Sequence, residues 1–183
     1  MVLVVDLEAS CADDGSIPPA EMEIIEIGAV WATLDGVVQE RFQSFVRPTL
    51  RPQLTPFCRQ LTSIQQSDID TAQPFAVAAA ALTAFADRHR KPDSIWMSWG
   101  AHDRGQIERD CLRHRVADPL GMEHQNAKSL FSERQKISKR LGMGMVCKLT
   151  GVVFEGTQHR ALDDAINIAR LLPWISGNRN LTD

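Results

Sequence analysis

The sequence predicts an α/β protein built on a mixed sheet, and three observations carry that prediction. The chain opens on an almost wholly apolar run, VLVVDLEA, of the kind that fills a strand covered on both faces. A hairpin follows in EIIEIGAVWATLDGVVQERFQSFV, where Ile25, Ile27, Ala29 and Trp31 alternate with the other face and Asp35-Gly36 supplies the turn. Beyond it, amphipathic helical spacing alternates with short apolar stretches. Three strands in sequence order, then helices interleaved with further strands, define the class.

The elements follow in order. A polar loop, CADDGSIPPAE, is broken by Gly15 and the Pro18-Pro19 pair. Residues 56–61 read as a short helix behind Thr55 as cap, and 63–69 as another short turn. From Pro74 the row Phe75, Ala78, Leu82, Phe85 marks one face of a helix reaching about residue 89. Pro92-Asp93 ends it, and SIWMSW is a short buried strand. A helix is expected over 103–115, a strand or loop over 123–126, and a helix over 128–141 that Gly142 and Gly144 break. The last helix spans 160–174, and beyond Ser176 the chain is polar. The expected organisation is one domain over 1–176 with a mobile tail over 177–183.

Composition narrows the function. At 183 residues, 44% apolar and 23% charged, this is an ordinary globular composition, long enough to bury a core. A formal charge of −3 argues against a sticky, non-specific nucleic-acid binder but leaves room for a nucleic-acid enzyme whose metal supplies positive charge. Cys11, Cys58, Cys111 and Cys147 form no CxxC pair, so neither a zinc site nor a disulfide framework is indicated. A reducing, cytoplasmic location is expected, with no signal peptide and no membrane association.

Two acids interrupt the first strand. Residues two apart on a strand face the same way, so Asp6 and Glu8 project side by side from its end. Adjacent like charges at the rim of a core repel and resist desolvation, and a hard divalent cation is one compensation; a strand ending in water is the other. Further along, Asp164 lies in the row Ala161, Asp164, Ile168, Leu171, apolar except for the acid, and an acid facing the core needs a partner. Asp163 lies in the polar row Arg160, Asp163, Asn167, Arg170, which reads as a solvated face. Asp103 continues through Ile107 and Cys111 on an inward face, and helix capping is the alternative reading for it. His159 stands just ahead of the last helix, with a side chain suited to taking a proton near neutral pH.

These residues resemble the motifs of the DEDDh 3′–5′ exonucleases, named for four acids and a histidine. VVDLEAS is similar to their first motif, SWGAHD to the second, and HRALDD to the third. The sister group uses Tyr as base, and this chain contains none. The stretches FVRPTLRPQLTPFCRQLTSIQQSDIDTAQPF and CKLTGVVFEGTQHRALDDAINIARLL resemble the Eri-type branch, which includes histone-mRNA 3′-exonucleases and bacterial KapD-like proteins. Together these motifs cover nearly the whole chain. Ser10 stands where the family usually has Thr, Ser63 where LTGI has Gly, and His102 where some relatives carry Trp.

The resemblance implies a ribonuclease-H-like mixed sheet of about five strands flanked by helices, with the first three antiparallel. It implies Asp6, Glu8, Asp103 and Asp164 as ligands of two divalent ions, Mg²⁺ or Mn²⁺, and His159 as the base that activates water. The implied reaction removes nucleoside 5′-monophosphates from single-stranded 3′ ends, RNA by branch resemblance. Backbone groups of Ala9 and Ser10, and the side chains of Phe57, Leu61 and His102, are the implied substrate contacts; for Phe57 and Leu61 plain core packing is the alternative. A DNA or dual-specificity exonuclease, and a non-catalytic nucleic-acid-binding regulator on the same fold, are the rival readings.

Overall fold

The structure, a computed structural model, describes residues 1–181. Six strands form one mixed sheet in the order β4-β3-β2-β1-β5-β6. Strands β1 (Val2–Ala9), β2 (Ile24–Ala32) and β3 (Val38–Arg47) are the expected antiparallel trio. Two-residue β4 (Gln73–Pro74) adds parallel to β3; β5 (Ile95–Ser98) lies parallel to β1, and β6 (Glu123–Asn126) parallel to β5. The sheet thus has one strand more than the expected five. Gln73–Pro74 is too short to leave a periodic signal.

Helices cover both faces, and strand parity decides which residues each face receives. Leu3, Val5 and Leu7 pack with Ile27, Ala29 and Trp31 beneath α3 (Phe75–Ala86) and α4 (His102–His114). Val2 and Val4 pack with Val30 and Ala32 beneath α5 (Ala127–Arg134), α6 (Met143–Thr150), α7 (Ala161–Arg170) and α8 (Leu172–Ile175). Asp6 and Glu8 continue the even-numbered row and so fall on the side that α7 covers. A third, smaller cluster of Ile25, Leu54, Cys58, Ile64 and Ile69 seats α1 (Pro56–Thr62) and α2 (Gln66–Asp70).

One glycine sets how closely α7 approaches the sheet. A Cβ on Gly28 of β2 would fall 2.1 Å from the carbonyl carbon of Ala161, so only glycine lets the first turn of α7 lie against this strand. That close approach brings the start of α7 beside the end of β1.

Three expectations about the helices need correction. The helix expected over 128–141 ends at Arg134: Lys136 adopts φ +55°, which no helix continues through, and the chain then crosses to a separate helix. Gly142 does not break a helix but begins one, as the extended N-cap of α6. The helix expected over 160–174 is interrupted at Leu171, because Pro173 has no N–H to donate to the carbonyl four residues back, and a fresh turn, α8, begins there. The tail is tied down as far as Leu181: Gln135 donates to the Arg179 carbonyl (2.9 Å) and accepts from the Leu181 N–H (2.9 Å). Residues 182–183 lie outside the described residues.

Candidate active site

Four acids and a histidine converge where β1 ends. Parallel pairing of β1 with β5 stops at Val4–Met97, which leaves the Leu7 N–H without a strand partner. Asp103 takes that place, accepting from Leu7 N at 3.2 Å. The capping alternative is set aside, because Ala101 is the N-cap of α4 and Asp103 lies inside the helix. Asp103 is 6% exposed, Glu8 8% and Asp164 6%, with Asp6 half-buried between them. So much carboxylate in so little water is costly unless charge is neutralised.

The acidities record that cost. Burial, then repulsion from Asp103, Asp164 and Glu8, pushes the Asp6 carboxyl well above the usual carboxylate range. Burial followed by the Asp164 charge pushes Glu8 up to about 8. Asp164 rises to about 7 for the same leading reason, although it accepts a hydrogen bond from the His159 backbone. Burial also raises Asp103, against hydrogen bonds that favour its ionised form, the largest from Ser98.

The His159 loop is held from below by α7. His159 has φ +60°, a left-handed conformation that a non-glycine residue keeps only when its surroundings enforce it. Asp164 accepts from its backbone N–H at 3.1 Å, and Asp163 from Thr157 N at 2.8 Å. Asn167 is fully buried; it accepts from Glu155 N (3.0 Å) and donates to Glu155 O (2.8 Å). Arg170 donates to Val153 O at 2.6 Å and pairs with Glu155. The polar row read as a solvated face is therefore a zipper that fixes residues 153–159 along the helix.

A second anchor crosses to the sheet. Glu26 of β2 is 0% exposed and accepts from Arg160 Nε (3.1 Å), Arg160 Nη2 (3.0 Å), the Ala161 N–H (3.0 Å) and Gln43 (2.5 Å). The Arg160 guanidinium also lies over the Phe45 ring at 5.4 Å. The backbone leading out of His159 is fixed on both sides.

An open cleft of about 520 Å³ joins these groups. Asp6, Glu8, Ala9, Asp103, His159 and Asp164 line it, with His102 and Leu61 at its walls. Ser10 does not: 2% exposed, it turns inward, and its hydroxyl accepts from Glu23 N at 3.0 Å. Phe57 lies beside a separate depression with Ala12, Asp13 and Gln60. Trp99, Met143, Gly144 and Gln158 also line the cleft, and none of them is a candidate site residue in the sequence reading. Trp99 lies within the second motif, SWGAHD, four residues before Asp103; Met143 and Gly144 sit on α6, a helix whose apolar spacing is too short to recognise.

The donor set fits a metal. Oxygens of Glu8 and Asp164 and a ring nitrogen of His159 all lie within 4.8 Å of one another. Asp164 Oδ1 is buried and has no hydrogen-bond partner among the described residues. An orphaned carboxylate oxygen facing other acids is what a hard cation satisfies, and carboxylate oxygens are the ligands Mg²⁺ and Mn²⁺ prefer.

A mixed sheet of this order, with acids gathered at the end of its first strand, places the chain among the ribonuclease-H-like nucleases as a class. Within that class the chain belongs to the Exonuclease (RNase_T) family, whose model matches residues 3–172. It is similar to ERI1 exoribonuclease 2 of Homo sapiens, 27% identical over 94% of this chain and 28% of that protein. A Bacillus subtilis relative, probable 3′-5′ exonuclease KapD, is 27% identical over 97% of this chain and 85% of its own length. Among solved structures, the nuclease domain of 3′hExo, a DEDDh family member bound to rAMP, superposes with a TM-score of 0.83 and 25% identity, covering 97% of this chain and 90% of that one. The chain spans little more than a quarter of the human and mouse ERI1 exoribonuclease 2 proteins. No described helix is long and apolar enough to cross a membrane.

Proposed function

We propose that the chain is a metal-dependent 3′–5′ exonuclease that removes nucleoside 5′-monophosphates from single-stranded 3′ ends, RNA in preference to DNA. The observation that carries this reading is the cleft itself: four inward acids, three of them nearly inaccessible, beside a histidine held in a strained loop. Asp6, Glu8, Asp103 and Asp164 would hold two divalent ions, Mg²⁺ or Mn²⁺. Bound there, the ions supply the positive charge that stabilises the attacking and leaving oxygens of a phosphodiester. His159 takes the proton of the attacking water at its ring nitrogen, a role suited to its exposed position at the rim. Asp164 accepts from the His159 backbone N–H, which ties the loop carrying the base to a metal-holding acid.

The preference for RNA draws support from the relatives and not from the cleft. The 3′hExo domain is described with rAMP, and a second neighbour, 26% identical, with a histone mRNA stem-loop. Leu61, His102 and Trp99 line the cleft, which supports packing of a terminal base there, and a free single-stranded end has its base available for that packing. Residues 1–176 are proposed as the catalytic unit. All four cysteines carry free thiols, which supports a reducing, cytoplasmic setting. Matched single-stranded RNA and DNA oligomers test the substrate: RNA degraded faster, with nucleoside 5′-monophosphate as product, is the expected result. Faster DNA degradation would overturn the preference and leave the reaction standing.

A further inference from the structure

Positive charge is distributed very unevenly along the chain. Residues 128–148 carry Lys128, Arg134, Lys136, Lys139, Arg140 and Lys148 against the single acid Glu133, within a protein of formal charge −3. Elsewhere cations are commonly neutralised: Arg51, Arg88, Arg90, Arg104, Arg113, Arg160 and Arg170 each pair with an acid. None of the six in this segment forms an ion pair with a described residue. Lys136, Lys139, Arg140 and Lys148 are exposed, which is expected of solvated cations. Their location is the informative part.

The segment runs into the catalytic cleft. Met143 and Gly144, at the start of α6, line that cleft, and Arg140 stands three residues earlier. A second groove of about 470 Å³ begins at the same Gly144 and Gln158 and continues past Lys148 over an apolar floor of Val152, Val153 and Phe154. Val153 is 76% exposed, an apolar surface that the fold leaves open. A groove with Lys148 on its wall, an apolar floor and a lysine- and arginine-rich segment leading to its mouth, opening from the cleft proposed to hold a 3′-terminal nucleotide, has the chemistry to take a polynucleotide strand: phosphates on the cations, base faces on the floor.

We infer that Lys136, Lys139, Arg140 and Lys148 form a track for the single strand lying 5′ of the nucleotide being removed, with its bases against Val153 and Phe154. This rests on the exonuclease reading and adds a length dependence to it. Long strands use the track, whereas a dinucleotide ends within the cleft and does not reach it. The track sets affinity and leaves the chemical step unchanged.

The test compares Lys139→Gln/Arg140→Gln and Lys136→Gln/Lys148→Gln with a control pair, Arg41→Gln/Lys91→Gln, exposed cations of β3 and of the loop before β5 with no ion-pair partner among the described residues. Binding of a fluorescent strand of about twenty nucleotides is measured in chelator across a salt series. Hydrolysis of a dinucleotide is measured with Mn²⁺. Each track pair is expected to weaken long-strand binding at least fivefold at about 50 mM salt and to flatten the salt slope by ~0.7 for each phosphate no longer neutralised. Dinucleotide hydrolysis stays within twofold of the parent. An unchanged affinity, a loss matched by the control pair, or an equal loss on the dinucleotide overturns the track. The binding arm needs no turnover, so a parent protein without hydrolysis would refute the exonuclease reading while still deciding this one.

Discussion

At the residue scale the chain separates groups that react from groups that hold them. His159→Ala removes the proton acceptor but no acid, so a fall in kcat of roughly 10²–10⁴-fold is expected. Mn²⁺ affinity by calorimetry should stay within a few-fold, and its collapse would mean that His159 serves as a ligand. Glu26 is a holding residue. Replacing it with Ala strands the Arg160 guanidinium and the Ala161 N–H, and loss of one partner of a buried ion pair costs about 3–5 kcal/mol. Chemical denaturation should show that loss, whereas Arg51→Ala, which breaks a half-exposed surface pair, should change stability by less than about 1 kcal/mol. Parity and helical spacing marked Asp6, Glu8 and Asp164 as acids in apolar rows, and the family resemblance was needed to join them into one site. Glu26 was not. In EIIEIG it reads as the polar phase of an alternating strand, and only the fold brings Arg160 to it across the sheet.

At the element scale, two positions test how the helices are seated. Gly28→Ala places a methyl group against the backbone of α7, which cannot yield as a flexible side chain would. Overpacking typically costs about 1–3 kcal/mol, and because α7 carries Asp164 and the His159 loop, activity should fall further than stability. Ser63 closes α1 in the left-handed conformation at φ 61°, the position where the family motif has glycine. Ser63→Gly should therefore stabilise the chain by about 1 kcal/mol, read as a rise in Tm of ~2–4 °C. Strong periodicity made the long elements legible: β1, the β2–β3 hairpin, α3 and α4 lie close to where the spacing places them. The failures are short elements. β4 has two residues, and α6 has eight and begins at a glycine that reads as a breaker. That loss affected the site, since Met143 and Gly144 form one wall of the cleft.

At the scale of the whole molecule, the cleft makes stability depend on pH and metal together. Glu8 and Asp164 keep their protons to about 8 and about 7 in the folded chain, against roughly 4 for unfolded carboxylates. The folded state therefore binds more protons across that window, and its stability is lost as pH rises through the folded pKa values. In chelator, Tm should fall between about pH 5 and pH 8. Saturating Mg²⁺ or Mn²⁺ at pH 8 should reverse the fall, by about 2.7 kcal/mol at a hundredfold excess over Kd. Whether the cleft is a metal-dependent exonuclease site is decided by digesting a 5′-labelled single-stranded RNA with Mg²⁺, with Mn²⁺ and with chelator, beside an Asp6→Ala control. The expected outcome is a ladder shortening from the 3′ end, present with metal and absent both in chelator and in the variant. A well-folded parent that leaves the strand intact under every condition, or cuts it equally without metal, would refute that assignment.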